Sequence, residues 1–257
     1  MKLAAEVVPY ALPFRVPYVT ARGALTRREM VLLRLRDGEG RIGLGEGVPL
    51  SLRGGTALTE VVRELEEATA GGPDAAALEA RGAKLSAPAR CALATALYDL
   101  REQADTSPGA SEKPRYARCN ATLIAGEPAA VAADESVVTL SDAERAKQSG
   151  ACSIVGVKLS KVGGAAAAEE IAAVLPTFLS SALDGPVGIA AAVELAARGE
   201  VHRPFDEPLA HGLATQRLFS ATIAAVECQL FDDVLQMPRG PGLGVEIDDD
   251  ALEAHRL

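Results

Sequence analysis

Tryptophan is absent and aromatic residues make up only 4% of the chain, so few rings are available on which nucleic-acid bases stack. Basic residues are the minority as well: 26 Lys and Arg stand against 35 Asp and Glu, and a formal charge of −9 leaves no cationic field for a phosphate backbone. Nucleic acid is therefore not expected as a partner. Histidine and cysteine are sparse. Cys91, Cys119, Cys152 and Cys228 form no C-x-x-C pair, and His202, His211 and His255 form no metal-binding repeat, so zinc is not suggested. Each cysteine sits among apolar neighbours, the setting of a reduced, buried small hydrophobe. No window approaches the ~20 uninterrupted apolar residues of a membrane span, and the first thirteen residues lack a signal-peptide core. The expectation is a cytoplasmic protein with no membrane partner.

What is present describes a folded globular chain. Of 257 residues, 48% are apolar and 24% are charged with both signs interspersed, enough to bury a core and too hydrophobic for disorder. In the first hundred residues, Met30 to Arg36 and Arg41 to Gly45 flank Asp37-Gly38-Glu39-Gly40, which predicts a β-hairpin. Leu58, Val61, Val62 and Leu65 recur at helical spacing, and so do Leu93, Ala96, Leu97 and Leu100, giving two amphipathic helices. The pattern dissolves over Asp105 to Pro114 into turn formers and charge, where a domain boundary is placed.

Beyond it, short apolar strands alternate with helices, which implies a parallel sheet. Strands are expected at Tyr116–Ile124, Cys152–Leu159 and Thr177–Leu183, with helices at Ala165–Leu175 and Pro186–Arg198. Ser141 and Glu144 have capping-box spacing, and Gly150 is placed to end that helix. Lys158 lies at the end of one strand and Ser180, Ser181 and Asp184 at the end of the next, where α/β barrels build their sites. A lysine inside an apolar strand needs a partner or a polar cavity. Ser180 and Ser181 alternate in direction, so at most one faces a barrel interior. Asp184, ahead of Gly185-Pro186, reads equally as a helix N-cap or as a substrate-facing group. Gly43, Gly45 and Gly47 lack the spacing of a dinucleotide loop.

Three motifs in order, Ala133-Asp134-Glu135-Ser136, Val157-Lys158-Leu159-Ser160-Lys161-Val162-Gly163-Gly164 and Ser180-Ser181-Ala182-Leu183-Asp184, resemble late barrel strands of the enolase superfamily, muconate-lactonizing branch. Pro13-Phe14-Arg15-Val16-Pro17 and Gly43-Leu44-Gly45-Glu46-Gly47 resemble that branch's capping domain, and Gly240 to Ile247 its C-terminal return. The Ser-Ser-Ala-Leu-Asp run and His211-Gly212-Leu213-Ala214-Thr215 are most similar to o-succinylbenzoate synthases, with dipeptide epimerases and muconate cycloisomerases as close rivals. The resemblance implies an α/β plus α+β fold: a capping domain over residues 1–114, an incomplete or gapped modified TIM barrel over 115–240, and a return segment over 241–257 that packs on the cap.

It also implies a Mg²⁺-dependent lyase of menaquinone biosynthesis, with Mn²⁺ as an alternative ion, acting on a small-molecule carboxylate through an enediolate. Asp134 matches the third metal carboxylate and Lys158 the lysine that faces the substrate. Ser180, Ser181, Asp184 and Arg22, the last in a loop that closes over the substrate in relatives, are the implied substrate contacts. A homo-oligomer is compatible with the resemblance. The chain departs from the pattern in one respect. Only 139 residues run from Cys119 to Leu257, and Asp134 follows the first barrel strand at once, so about three βα units of roughly 30 residues are missing. The K-x-K strand motif and two metal carboxylates are missing with them. Two accounts stand: a shortened, catalytically inactive paralogue, or two joined stretches of a longer chain. The second is expected, with a break between Ala125 and Asp134, because three missing parallel strands would expose sheet edges.

Overall fold

The computed structural model describes residues 2–20, 23–49, 55–105, 115–119, 132–134, 136–199 and 210–257. Its first layer is an antiparallel sheet of β1 (Ala4–Thr20), β2 (Gly23–Arg36) and β3 (Ile42–Gly47) in that order. The expected hairpin is β2–β3, in register from Val31 opposite Gly47 to Arg36 opposite Ile42. Its turn is pinned by Asp37, whose carboxylate accepts from the Glu39 and Arg41 amides and from Arg41 Nε. The apolar run of β2 is continuous because both faces are covered. Val31, Leu33 and Leu35 bury against α1 (Leu58–Thr69), α2 (Ala75–Gly82) and α3 (Ala87–Ala104), while Met30 and Leu32 face the larger core beneath. Two of these helices follow the predicted periodicity. The third, α2, is short and starts at an Asp74 cap whose side chain accepts from the Ala77 amide.

The spaced glycines of β3 answer to packing. A Cβ at Gly43 would collide with the Ala96 carbonyl, one at Gly45 with that of Ala92, and one at Gly47 would press on that of Pro88. Those carbonyls stand one helical turn apart on α3, so the glycine face of the strand lies directly on the helix.

The rest of the chain builds a parallel array. After β4 (Tyr116–Arg118) come β5 (Ala132–Ala133), α4 (Leu140–Ser149), β6 (Ile154–Val157), the single turn α5 (Leu159–Val162), α6 (Ala165–Val174), β7 (Thr177–Leu179) and α7 (Pro186–Ala197). β5, β6 and β7 pair in parallel, Ser180 bridges in parallel to Gly212, and His211 bridges in parallel to Cys119. The arc therefore runs β5, β6, β7, residues 211–212, then the end of β4. Arg118–Cys119 and Ala132–Ala133 thus stand at opposite ends of one five-membered arc. The break expected between Ala125 and Asp134 bears on 125–131, and that stretch, the boundary segment 106–114 and the expected strand residues 120–124 lie outside the described residues.

Helix α7 is buried almost all round, which its unbroken apolar sequence requires, because it is wedged between the arc and the capping sheet. Beyond the 3-10 turn Ala214–Leu218 the chain adds β8 (Ala224–Val226), β9 (Gln229–Phe231), β10 (Val234–Gln236), β11 (Glu246–Ile247) and α8 (Asp249–Ala254). β10 pairs antiparallel with both β4 and β9. The C-terminus returns to the first sheet, where Ala11 donates to the His255 carbonyl and Leu257 to that of Pro9.

Three local expectations are corrected. The capping box of α4 is Thr139 with Asp142, not Ser141 with Glu144: Thr139 Oγ1 accepts from the Asp142 amide and Asp142 Oδ2 from that of Thr139. The helix starts two residues earlier because Thr139 holds the extended geometry a cap needs, and Gly150 ends it in the left-handed conformation as expected. The strand expected over 152–159 is only Ile154–Val157, since Lys158 already opens α5. The strand expected over 177–183 stops at Leu179, because residues 181–184 close a turn on the Asp184 carboxylate.

Candidate active site

The C-terminal ends of the parallel strands gather the sequence-predicted residues. β5 delivers Asp134 and its neighbour β6 delivers Lys158, and Lys158 Nζ is hydrogen-bonded to Asp134 Oδ1 as an ion pair. The lysine side chain is 13% exposed and the aspartate 56%, so the ammonium is recessed while its partner faces the opening. Lys158 ends up there because β6 stops at Val157 and the chain turns at once into α5, which Gly163 terminates at a positive φ of 98°.

One strand further on, the two serines part company. Ser181 Oγ donates to Asp184 Oδ2 at 2.8 Å and receives Thr215 Oγ1 at 2.7 Å, so it belongs to the turn. Ser180 Oγ is buried with no hydrogen-bond partner among the described residues, which leaves its hydrogen-bonding capacity unmet. Asp184 is not the N-cap of α7. It is buried, and its oxygens accept from Ser181 Oγ, the Ala182 amide and Ser160 Oγ. The N-cap is Gly185, and the amide of Gly185 is satisfied from the capping sheet by Glu46 Oε1 at 2.6 Å. Arg22 lies outside the described residues.

Two further predicted features are structural. His211 is buried, and its Nδ1 accepts the Leu179 amide at 2.9 Å, which fixes the ring to the strand. All four cysteines are free, and burial pushes the Cys91 and Cys228 thiols up to about 12, far from a thiolate nucleophile.

Sequence reasoning missed the buried polar group behind the mouth: Tyr10, Arg28 and Glu46, all from the capping sheet. Its signal was there in the alternation of β3, where Glu46 shares a face with Leu44 and Val48, both in the core. Tyr10 Oη donates to Glu46 Oε2 at 2.9 Å, and Arg28 Nη2 donates to the Ala182 carbonyl at 3.1 Å.

Mg²⁺ wants near-octahedral oxygen coordination, with carboxylates supplying part of it. Among the described residues no group of three or more His, Cys, Asp or Glu side chains converges, and Asp134 is already held by an ammonium. The described residues therefore do not fit the metal centre that the resemblance implies. No helix among them is long and apolar enough to cross a membrane.

Comparison with known proteins agrees with the topology. The family model for the enolase C-terminal domain-like family matches residues 51–251. Muconate cycloisomerase 1 of Rhodococcus opacus is 32% identical over 131 residues, 49% of this chain and 34% of that enzyme. An o-succinylbenzoate synthase of Thermobifida fusca is 39% identical over 95 residues, 36% of this chain and 28% of that one. These matches span about a third of the curated relatives' length. The crystal structure of 2-chloromuconate cycloisomerase from Rhodococcus opacus 1CP superposes with a TM-score of 0.83 at 19% identity, covering 100% of both chains, which supports a capping domain with a TIM-barrel-like fold. By its family match and its strand topology, the chain belongs to the enolase superfamily and resembles the o-succinylbenzoate synthases.

Proposed function

We propose that the chain carries the substrate-facing lysine of an o-succinylbenzoate synthase-like lyase, which eliminates water from a cyclohexadiene carboxylate. In that reaction a proton leaves the carbon next to the carboxylate, charge develops on the carboxylate oxygens as an enediolate, and the β-hydroxyl departs as water. The observation that carries the reading is Lys158, recessed at a strand end and paired with Asp134 on the neighbouring strand. A fixed positive charge in a sheltered mouth stabilises an oxyanion where it forms. Ser180, whose buried Oγ has no partner among the described residues, is suited to donate to a second substrate oxygen. The implied Mg²⁺ dependence belongs to this proposal and not to the described side chains.

A second reading, a catalytically silent member of the superfamily, is supported by the lack, among the described residues, of any convergent group of three His, Cys, Asp or Glu side chains. One assay separates the two. The purified chain is given the cyclohexadiene carboxylate with and without Mg²⁺, beside a panel of dipeptides and muconate. Aromatic product supports the synthase reading. Epimerised dipeptide or lactone transfers the chain to a rival activity. Absence of all three from a folded protein supports the silent one.

A further inference from the structure

We propose that Glu46 is a proton-dependent tie between capping sheet and barrel, holding the loop after β7 in place while neutral and loosening it when charged. The inference goes beyond the enzymatic reading and does not need it.

Glu46 is 1% exposed, and each of its oxygens is hydrogen-bonded. Oε1 accepts the amide of Gly185, the residue just ahead of α7, across 139 residues of sequence, and the Gly188 amide in the first turn of α7 also bonds the carboxylate. Oε2 meets Tyr10 Oη, which also stands 3.7 Å from Met30 Sδ. That hydroxyl serves either protonation state. With Glu46 neutral, Oε2–H donates to Tyr10 and the tyrosine turns to the sulfur. With Glu46 ionised, the tyrosine donates to Oε2. The Gly185 and Gly188 amides and the Tyr10 hydroxyl favour the charged carboxylate, and burial together with the neighbouring charge outweighs them.

The neighbouring charge is Asp184. A Cβ built on Gly188 would lie 2.9 Å from Glu46 Oε1 and 3.2 Å from Asp184 Oδ1, so the two carboxylates share one small space. Two like charges at such range do not both ionise freely, and burial adds to the cost. Burial first and Asp184 second push Glu46 up to about 7. The other groups facing the site are Tyr10 of β1, Arg28 of β2, Cys91 of α3 and, beyond Tyr10, Glu227. Tyr10 and Cys91 are both raised by burial and stay neutral. Arg28 is the cation of the group; its Nη2 holds the Ala182 carbonyl in the turn closed by Asp184, and its Nε has no partner among the described residues. A second negative charge here strains the seam on which the Ser181–Asp184 turn rests.

The sign follows from linkage. The folded state holds the Glu46 proton above its ordinary range, so this group's contribution falls as pH rises from the ordinary carboxylate range through about 7. Melting curves of the whole chain and of Glu46→Gln are recorded between about pH 5 and pH 9. The expected result is a Tm gap, variant minus wild type, that widens by several degrees toward alkaline pH, because glutamine cannot ionise. A gap constant with pH overturns the proposal. Should Glu46→Gln fail to fold, ¹³C NMR of the wild-type glutamate carboxyls still decides. One carboxyl with a midpoint near 7, with the Ser181 and Ala182 amides shifting at that same midpoint, supports the tie, and the absence of either overturns it.

Discussion

The carboxylate of Asp99, buried in α3, accepts the Leu243 amide at Oδ1 and the Leu44 amide at Oδ2, each at 2.7 Å. One side chain thereby pins the C-terminal return to the hairpin strand β3. Asp99→Asn replaces one acceptor with a donor and sets two N–H groups face to face. The expected loss is about 1–3 kcal/mol of unfolding free energy, read by urea denaturation. An unchanged midpoint would mean that the Asp99 tie adds nothing to the hydrogen bonds and apolar contacts that already hold the return segment.

Lys158→Ala is expected to lower kcat for the elimination by ~10²-fold or more, since the charge acts chiefly on the transition state. Stability should hardly move, because an ion pair with so exposed a partner is worth about 0–1 kcal/mol. Steady-state kinetics beside a thermal melt checks both. Normal turnover by the mutant removes Lys158 from the chemistry.

Thr139→Ala and Ser141→Ala test which residue caps α4. The first removes the hydroxyl that satisfies the Asp142 amide and should cost about 1 kcal/mol, whereas the second should cost only a few tenths. The hydrogen bonds to Thr139 hold the Asp142 carboxyl below its usual range, so the cap's contribution is present at neutral pH and fades as pH drops below the ordinary carboxylate range. Equal losses from the two substitutions would contradict the assignment.

Gly45→Ala should be among the most damaging single changes in the cap, because the added carbon meets the Ala92 carbonyl rather than a side chain that can turn away. Overpacking against backbone costs roughly 1–3 kcal/mol or more. Gly150→Ala, with open space around it, should cost less and only through its left-handed backbone. A thermal-melt comparison that reverses this order would show that β3 stands off from α3.

Local periodicity made much of this protein legible in its sequence. The two strand-like runs on either side of the Asp37–Gly40 turn determined a hairpin, helical spacing determined α1 and α3, and motif order put Lys158 and Asp134 on neighbouring strands, because each signal is carried by residues close together in the chain. Only the tertiary structure decided what Ser180, Ser181, Asp184 and Glu46 do. Whether a serine is free or consumed depends on Thr215 reaching back to the turn at Ser181. Whether Asp184 caps α7 depends on Glu46 arriving first from another sheet. A buried polar group is satisfied by whichever partner the fold brings within hydrogen-bond distance, and spacing along the chain carries no record of a partner that distant.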